Sequence, residues 1–295
     1  MTRQKQAYAY ALGAVLIWST VASAFKISLR HMDPIQLLLW ADVFSVLCLF
    51  SVLVIQGKLT LLKNLPRPTL KRGLALGLLN PFLYYTILFA AYDLLPAQEA
   101  QPLNYTWAIT LTLLSWPMLG QRLGLREALA IGISYAGVVV ISTHGNPFSL
   151  SFSSGPGVAL ALGSTIIWAL FWIFNAKDET DPVVSLFLNF AAGFPCILAA
   201  CLIFSTPWPG TWQGVAGAAY VGVFEMGVTF VFWLKALRLS SSTAKVSTLI
   251  FFSPFLSLIF IHFFVGEEIL PSTIVGLGFI IAGNALQQTA KTADS

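Results

Sequence analysis

The chain has 295 residues; 57% are hydrophobic, 9% are charged, and the formal net charge is +4. A soluble domain carries about 25% charged residues, so this chain cannot clothe a water-facing surface, and lipid must be its solvent. The basic pI of about 9.0 does not point to nucleic acid, because the charges are distributed as a membrane would sort them.

A spanning helix needs about 20 mainly apolar residues, and ten such segments are predicted, joined by connections too short for a soluble domain. Their runs are continuously apolar, unlike the alternating strands of a membrane barrel. Span one, 7–25, follows Arg3 and Lys5 and carries Leu16-Ile17-Trp18. It ends on Ala22-Ser23-Ala24, a signal-peptide-like pattern, but the run is long for a signal peptide, and the repeat described below requires it to be retained. Span two, 34–55, opens at Asp33-Pro34 and contains Trp40 and Asp42. Span three, 72–92, is interrupted by Asn80-Pro81, followed by Tyr84 and Tyr85. A proline there removes a backbone donor and frees a carbonyl, which needs a partner or a watery cavity. Span four, 96–118, holds Gln101, Pro102 and Tyr105, with Glu99 near its interfacial end. Span five, 125–143, contains Gly132 to Gly137 (GISYAG). Span six, 156–175, carries Ile166-Ile167-Trp168 and Trp172, whose spacing of four puts both tryptophans on one face. Span seven, 183–204, opens at Asp181-Pro182. Span eight, 212–234, encloses Glu225 about midway; span nine, 241–264, has Lys245 in its first turns and Pro254 further on; span ten, 270–287, carries Gly278 to Gly283 (GFIIAG).

With the N-terminus in the cytoplasm, 13 of the 16 Lys and Arg fall in inside segments, two (Lys26 and Arg30) outside and one (Lys245) within a span. The positive-inside rule then places both termini in the cytoplasm. Cys48, Cys196 and Cys201 lie within spans and read as packing residues; no disulfide framework or metal-ligand spacing is visible.

The halves repeat. Asp33-Pro34 matches Asp181-Pro182, Leu16-Ile17-Trp18 matches Ile166-Ile167-Trp168, and GISYAG matches GFIIAG, at offsets of about 145–150 residues. Each Asp-Pro offers a side-chain acceptor at a helix N-cap and a proline suited to the first turn. Residues 1–145 and 146–295 are therefore expected to be two five-helix repeats. An odd number of spans per repeat inverts the second, the usual basis of alternating access. The expected fold is an all-α integral membrane protein of ten helices around a central cavity.

The stretch SPFLSLIFIHFFVGEEI, Ser253 to Ile269, with Pro254 and Gly266-Glu267, resembles the EamA-type members of the drug/metabolite transporter superfamily. In the first half, Gly120-Gln121 stands where the second half has Gly266-Glu267, so the acid is missing there. The resemblance covers almost the whole chain and implies a ten-helix secondary transporter with a central cavity. Members of that family export amino acids and related metabolites, and some import small solutes.

An ionisable residue inside a membrane costs about 2.5–3.5 kcal/mol on insertion scales. Glu225, Asp42 and Lys245 are therefore the first candidates for substrate binding or coupling, with Gln101 opposite Lys245 in the repeat. The competing reading of Glu225 is an internal salt bridge with Lys245 or Lys235; Lys245 has a stem long enough to snorkel to the surface. Asn80, Tyr84, Tyr105, Trp18, Trp168 and Trp172 complete the expected lining, against an interfacial aromatic belt as the plainer alternative. Pro81, Pro102 and Pro254 read as hinge or cavity points, or as packing kinks. Gly73, Gly77, Gly132, Gly137, Gly276, Gly278 and Gly283 read as sites of close helix approach. No HExxH, Gly-x-Ser-x-Gly or P-loop motif occurs, so neither an enzyme nor an ATP-driven pump is expected. The function expected is secondary active transport of a small amine-bearing metabolite, most simply an amino acid, across the cytoplasmic (inner) membrane, by exchange or with protons. A lipid flippase or passive channel is the alternative. No cofactor, metal or nucleic acid is expected; the partners are a small-molecule substrate, the lipid bilayer and protons, with monomer and homodimer both open.

Overall fold

The computed structural model describes residues 2–63, 65–119, 124–146, 148, 152–175, 178–240 and 248–293. Among them the secondary structure is helical, without a strand. Six helices are long and apolar enough to cross a membrane: Arg3–Ser28, Pro34–Ile55, Arg67–Leu94, Gly155–Asn175, Pro182–Phe204 and Trp212–Ala236. Ala128–Ser142, Phe252–Val265 and Pro271–Leu286 are shorter apolar helices.

Helix α1 (Arg3–Ser28) is followed by α2 (Pro34–Ile55), whose start is fixed by Asp33: its Oδ1 accepts from the amides of Ile35 at 2.9 Å and Gln36 at 3.0 Å. The third predicted span is α3 (Arg67–Gly77), a π-helical turn at Leu78–Leu83 and α4 (Tyr84–Leu94), with the backbone leaving helical geometry at Asn80 (φ −144°, ψ 115°). The fourth predicted span is two helices, α5 (Ala97–Asn104) and α6 (Trp107–Leu119). They part at Tyr105-Thr106, where the Thr106 amide and hydroxyl both donate to the Leu103 carbonyl, at 3.2 and 2.7 Å, and close off the α5 end. Next come α7 (Leu125–Ser142), α8 (Gly155–Asn175) and α9 (Pro182–Phe204). The eighth predicted span is α10 (Trp212–Tyr220), a π-helical stretch at Val221–Val228 and α11 (Thr229–Leu239). A short 3-10 turn leads into α12 (Phe252–Phe260), a π turn at Ile261–Val265 and α13 (Pro271–Ala293). Gly266 ends that π turn at φ 82°, a left-handed conformation that glycine adopts without steric cost.

The two Asp-Pro starts are tied to each other's helix. Asp181 Oδ1 accepts from the Val183 and Val184 amides at 3.0 and 3.4 Å, capping α9 as Asp33 caps α2. The other oxygen of Asp33 accepts from the Ser205 hydroxyl just past the end of α9. The other oxygen of Asp181 pairs with Lys58, just past the end of α2, at 2.8 Å. The two helices are thus antiparallel, and each N-cap grips the far end of its partner. Helices α7 and α13 are antiparallel as well: Gly137 faces the Gly276 carbonyl, and Gly283 faces Ser134 and the Ala130 carbonyl. Gly77 similarly meets Asn189 and Gly193 of α9, and Gly73 lies against Leu188. Gly132 and Gly278 correct the expectation of close approach, since a side chain at either would meet nothing within 4 Å. Gly278 lies two residues beyond Gly276, about 200° round the helix, and so faces away from α7.

One end of the bundle is closed by polar contacts. Glu267 accepts from the Ala97 and Gln98 amides at 2.8 and 3.0 Å, placing a carboxylate on the exposed donors and positive dipole end of α5. The Gln98 side chain donates to the Glu268 carbonyl and accepts from Leu270 and Thr273. Lys26 donates to the Tyr92 and Leu95 carbonyls at the end of α4, both at 2.7 Å, and Arg30 donates to the Val265 carbonyl. Glu99, expected at an interface, is buried and accepts from Ser153 at 2.7 Å, with His144 at 3.0 Å. The corresponding Gly120-Gln121 lies outside the described residues.

Candidate functional site

Glu225 sits in the Val221–Val228 π stretch and is buried. Such stretches replace regular i to i−4 bonding and recur at functional sites. Small residues let the stretch close on α2: Gly222 packs on the Ala41 backbone, Gly227 on Cys48, and Ser45 donates to the Met226 carbonyl at 3.0 Å. The Tyr85 hydroxyl donates to Glu225 Oε1 at 3.2 Å, with Trp18 beside the carboxyl. Glu225 Oε2 is buried and has no hydrogen-bond partner in the protein. Among the described residues no cation pairs with Glu225. Lys235, one of the two proposed salt-bridge partners, lies over the Tyr10 ring instead, 5.4 Å from its centroid. Lys245, the other, is outside the described residues.

Aromatic rings lead away from this carboxyl. Tyr85 meets Tyr84 edge-on at 4.9 Å, and Tyr84 stacks on Trp168 at 4.5 Å. Trp168 in turn touches Phe171, Trp172 and Phe230, at 5.7, 5.8 and 5.9 Å. Trp18 joins through Phe230 at 6.4 Å and also meets Trp233 at 5.3 Å. The Tyr84 hydroxyl is held by Asn104, whose amide donates to Ser164. Glu225, Tyr84, Trp168, Trp172 and Trp18 are thus brought into one cluster. Tyr85, Phe171 and Phe230 connect them.

The other candidates lie outside that chain of ring contacts. Asp42 is fully buried on α2, and neither carboxylate oxygen has a protein partner. Asn80 is fully buried at the α3–α4 kink, with both amide atoms unpartnered. Gln101 is buried on α5 and its side-chain oxygen has no partner. Tyr105 ends α5; its carbonyl accepts from Asn284 at 3.3 Å, and its hydroxyl reaches Ser253. No hydrogen bond joins any of these to Glu225. Among the described residues, no group of three His, Cys, Asp or Glu side chains forms a metal-binding set.

A cleft partly open to the exterior reaches the aromatic cluster from the α8–α9 connection. Phe171, Trp172 and Phe230 form its inner wall; Asn175, Asp178 and Ser185 stand nearer its mouth. Asp178 accepts from Ser185 at 2.6 Å, from the Thr180 amide at 3.1 Å and from Arg72 at 3.1 Å. Burial opposes its ionisation, but these donors outweigh burial and hold its carboxyl below the usual range. Sequence reasoning missed this cleft, because its wall is built from ordinary apolar residues of α8 and α11 and its acid from a loop.

The geometry is that of a polar point with aromatic walls inside an apolar bundle. The model of the EamA-like transporter family matches residues 5–143 and 155–287. The chain is 25% identical over 295 residues to the uncharacterized transporter YvbV of Bacillus subtilis, covering 95% of this chain and 90% of that protein. It is 26% identical over 226 residues to the aromatic amino acid exporter YddG of Ancylobacter novellus, covering 75% of each. A crystal structure of another protein, 20% identical, superposes with a TM-score of 0.68 over 99% of both chains and shares the fold. The chain belongs to the EamA-like transporter family.

Proposed function

We propose that this protein is a secondary active transporter that moves a small amine-bearing metabolite, most simply an amino acid, by alternating access. One observation carries the reading. Glu225 has one carboxylate oxygen held by Tyr85 and the other without a hydrogen-bond partner, beside the Trp18 indole and a cluster of aromatic rings. A buried carboxylate with an unused oxygen is matched by an ammonium group, and ring faces add cation–π attraction of about 0.5–2 kcal/mol. The similarity to a protein named as an aromatic amino acid exporter supports the same substrate class. The antiparallel pairs α2 with α9 and α7 with α13 support two inverted repeats, 1–145 and 146–295, within ten spans. The charge distribution supports cytoplasmic termini, which puts the α8–α9 connection and its cleft on the cytoplasmic side. Glu225 also serves the proton in exchange for substrate, since either neutralises it.

The test is Glu225→Gln, read by thermal stabilisation across a panel of amino acids and by flux into liposomes. A hydrogen bond to a charged group contributes about 1.5–3 kcal/mol, so binding of a responsive amino acid should weaken by roughly 10–150-fold. The variant should still fold, because a neutral amide costs less in the membrane than a carboxylate. Normal binding, normal flux and an unchanged pH profile in the variant would remove Glu225 from the site. Movement of labelled lipid, or an unsaturable leak, in place of amino acid flux would favour a flippase or a channel.

A further inference from the structure

We propose that the cleft among α8, α9 and α11 is a loading site for an apolar α-amino acid, in which the ammonium group of the substrate exchanges for the Arg72 guanidinium at Asp178. The inference rests on the transport function proposed above and adds a second site to it.

Each part of such a substrate finds its chemistry there. Asp178 supplies an anion whose side chain is only 6% exposed, so it needs a cation beside it. The cation it has is replaceable: the Arg72 side chain is 43% exposed, and its guanidinium passes into water when released. Phe171, Trp172 and Phe230 offer faces to an apolar side chain. The Trp172 indole Nε1 is buried without a hydrogen-bond partner. It is a donor that a substrate carboxylate would satisfy, with Asn175 in the same lining.

The position gives the site its role. Phe171, Trp172 and Phe230 face the cleft and also touch Trp168, which stacks on Tyr84 next to the Tyr85–Glu225 pair. A molecule in the cleft is therefore linked to Glu225 through the successive rings of Trp168, Tyr84 and Tyr85. Arg72 on α3 and Asp178 before α9 belong to different halves of the chain, so the exchange also releases a tie between the halves.

The experiment uses the full-length protein in liposomes, L-phenylalanine as probe, and flux measured from the face that bears the α8–α9 connection. Asp178→Asn should raise the KM by about tenfold or more. Arg72→Gln, which removes the competing cation, should lower it. A tie without a loading role predicts that both changes shift the KM in the same direction, and that result would overturn the proposal. A second measurement separates this site from Glu225. On a background lacking Cys48, Cys196 and Cys201, a thiol placed at Leu234, in the cleft lining, is labelled with and without L-phenylalanine. Protection by L-phenylalanine should persist when Glu225→Gln is added, although flux is lost. Loss of flux without any protection sinks the loading site and keeps the function; normal flux in Glu225→Gln sinks the function whatever the labelling shows.

Discussion

Asp181 joins two kinds of interaction whose sizes differ, and two substitutions separate them. Asp181→Ala removes the acceptor for the Val183 and Val184 amides and also the partner of Lys58. Loss of an N-cap costs about 0.5–2 kcal/mol. The Lys58 pair is 28% and 20% exposed, so solvent screens it to about 0.2–1 kcal/mol. The alanine variant should therefore lose about 1–3 kcal/mol. Asp181→Asn keeps a capping oxygen and should lose only the pair, about 1 kcal/mol or less. Thermal unfolding in detergent, followed by labelling of the buried Cys201 of α9 on a Cys48→Ala, Cys196→Ala background, reads both. The pH dependence has a definite sign. Burial opposes ionisation of Asp181, but the Lys58 hydrogen bond and charge and the two amides outweigh it and hold the carboxyl below its ordinary value of 3.8. Its contribution is complete above that value and is lost as pH falls through the lower folded-state value. The gap between wild type and Asp181→Asn should close over the same range. Equal destabilisation by Asn and Ala would refute the cap as the larger part.

Gly276→Ala should cost about 1–3 kcal/mol by driving a methyl group into the Gly137 carbonyl and Ile141, whereas Gly278→Ala should be neutral or stabilising by up to about 1 kcal/mol; the same unfolding assay checks both. Glu267→Ala should leave two α5 amides without their acceptor, cost about 1–3 kcal/mol, and speed labelling of a cysteine placed at the buried Ala97; an unchanged rate would show that Glu267 does not hold this end closed.

What the sequence disclosed was what has a local signature. Asp33-Pro34 and Asp181-Pro182 announced helix starts because capping chemistry spans only three residues. Glu225 announced itself because a carboxylate in an apolar run is costly wherever it lies. The spacing of Trp168 and Trp172 put them on one face, and they do touch. The rest depends on partners far apart in sequence. Tyr85 holds Glu225 across 140 residues, and nothing local separates it in role from the other tyrosines of its span. Phe230 bridges Trp18 to Trp168 as one phenylalanine among 23. Gly266-Glu267 was legible as a motif, but its task, capping α5 from the other half, was not. Lys235 was a plausible ion partner by distance along the chain, and helix rotation turned it to Tyr10 instead.

The two ends of the molecule are held by unequal forces, and this bears on which end a proposed transport cycle opens. At the α5 end, Glu267 and Gln98 between them make five hydrogen bonds with the opposite half, two of them donated by the amides of a helix start to a carboxylate. At the α8–α9 end, the Arg72–Asp178 tie is one bond to a guanidinium that water already reaches. Screening at the exposed guanidinium reduces this tie to about 0.2–1 kcal/mol, whereas a single hydrogen bond to a charged group contributes about 1.5–3 kcal/mol. The cleft lies at the weaker end. Asp33–Ser205 and Lys58–Asp181 tie the two ends of the α2–α9 pair to each other, so that pair moves as one body while the ties around it exchange. Asp42 on α2 and Asn189 on α9 are buried without a hydrogen-bond partner, each unmet group costing about 1–3 kcal/mol.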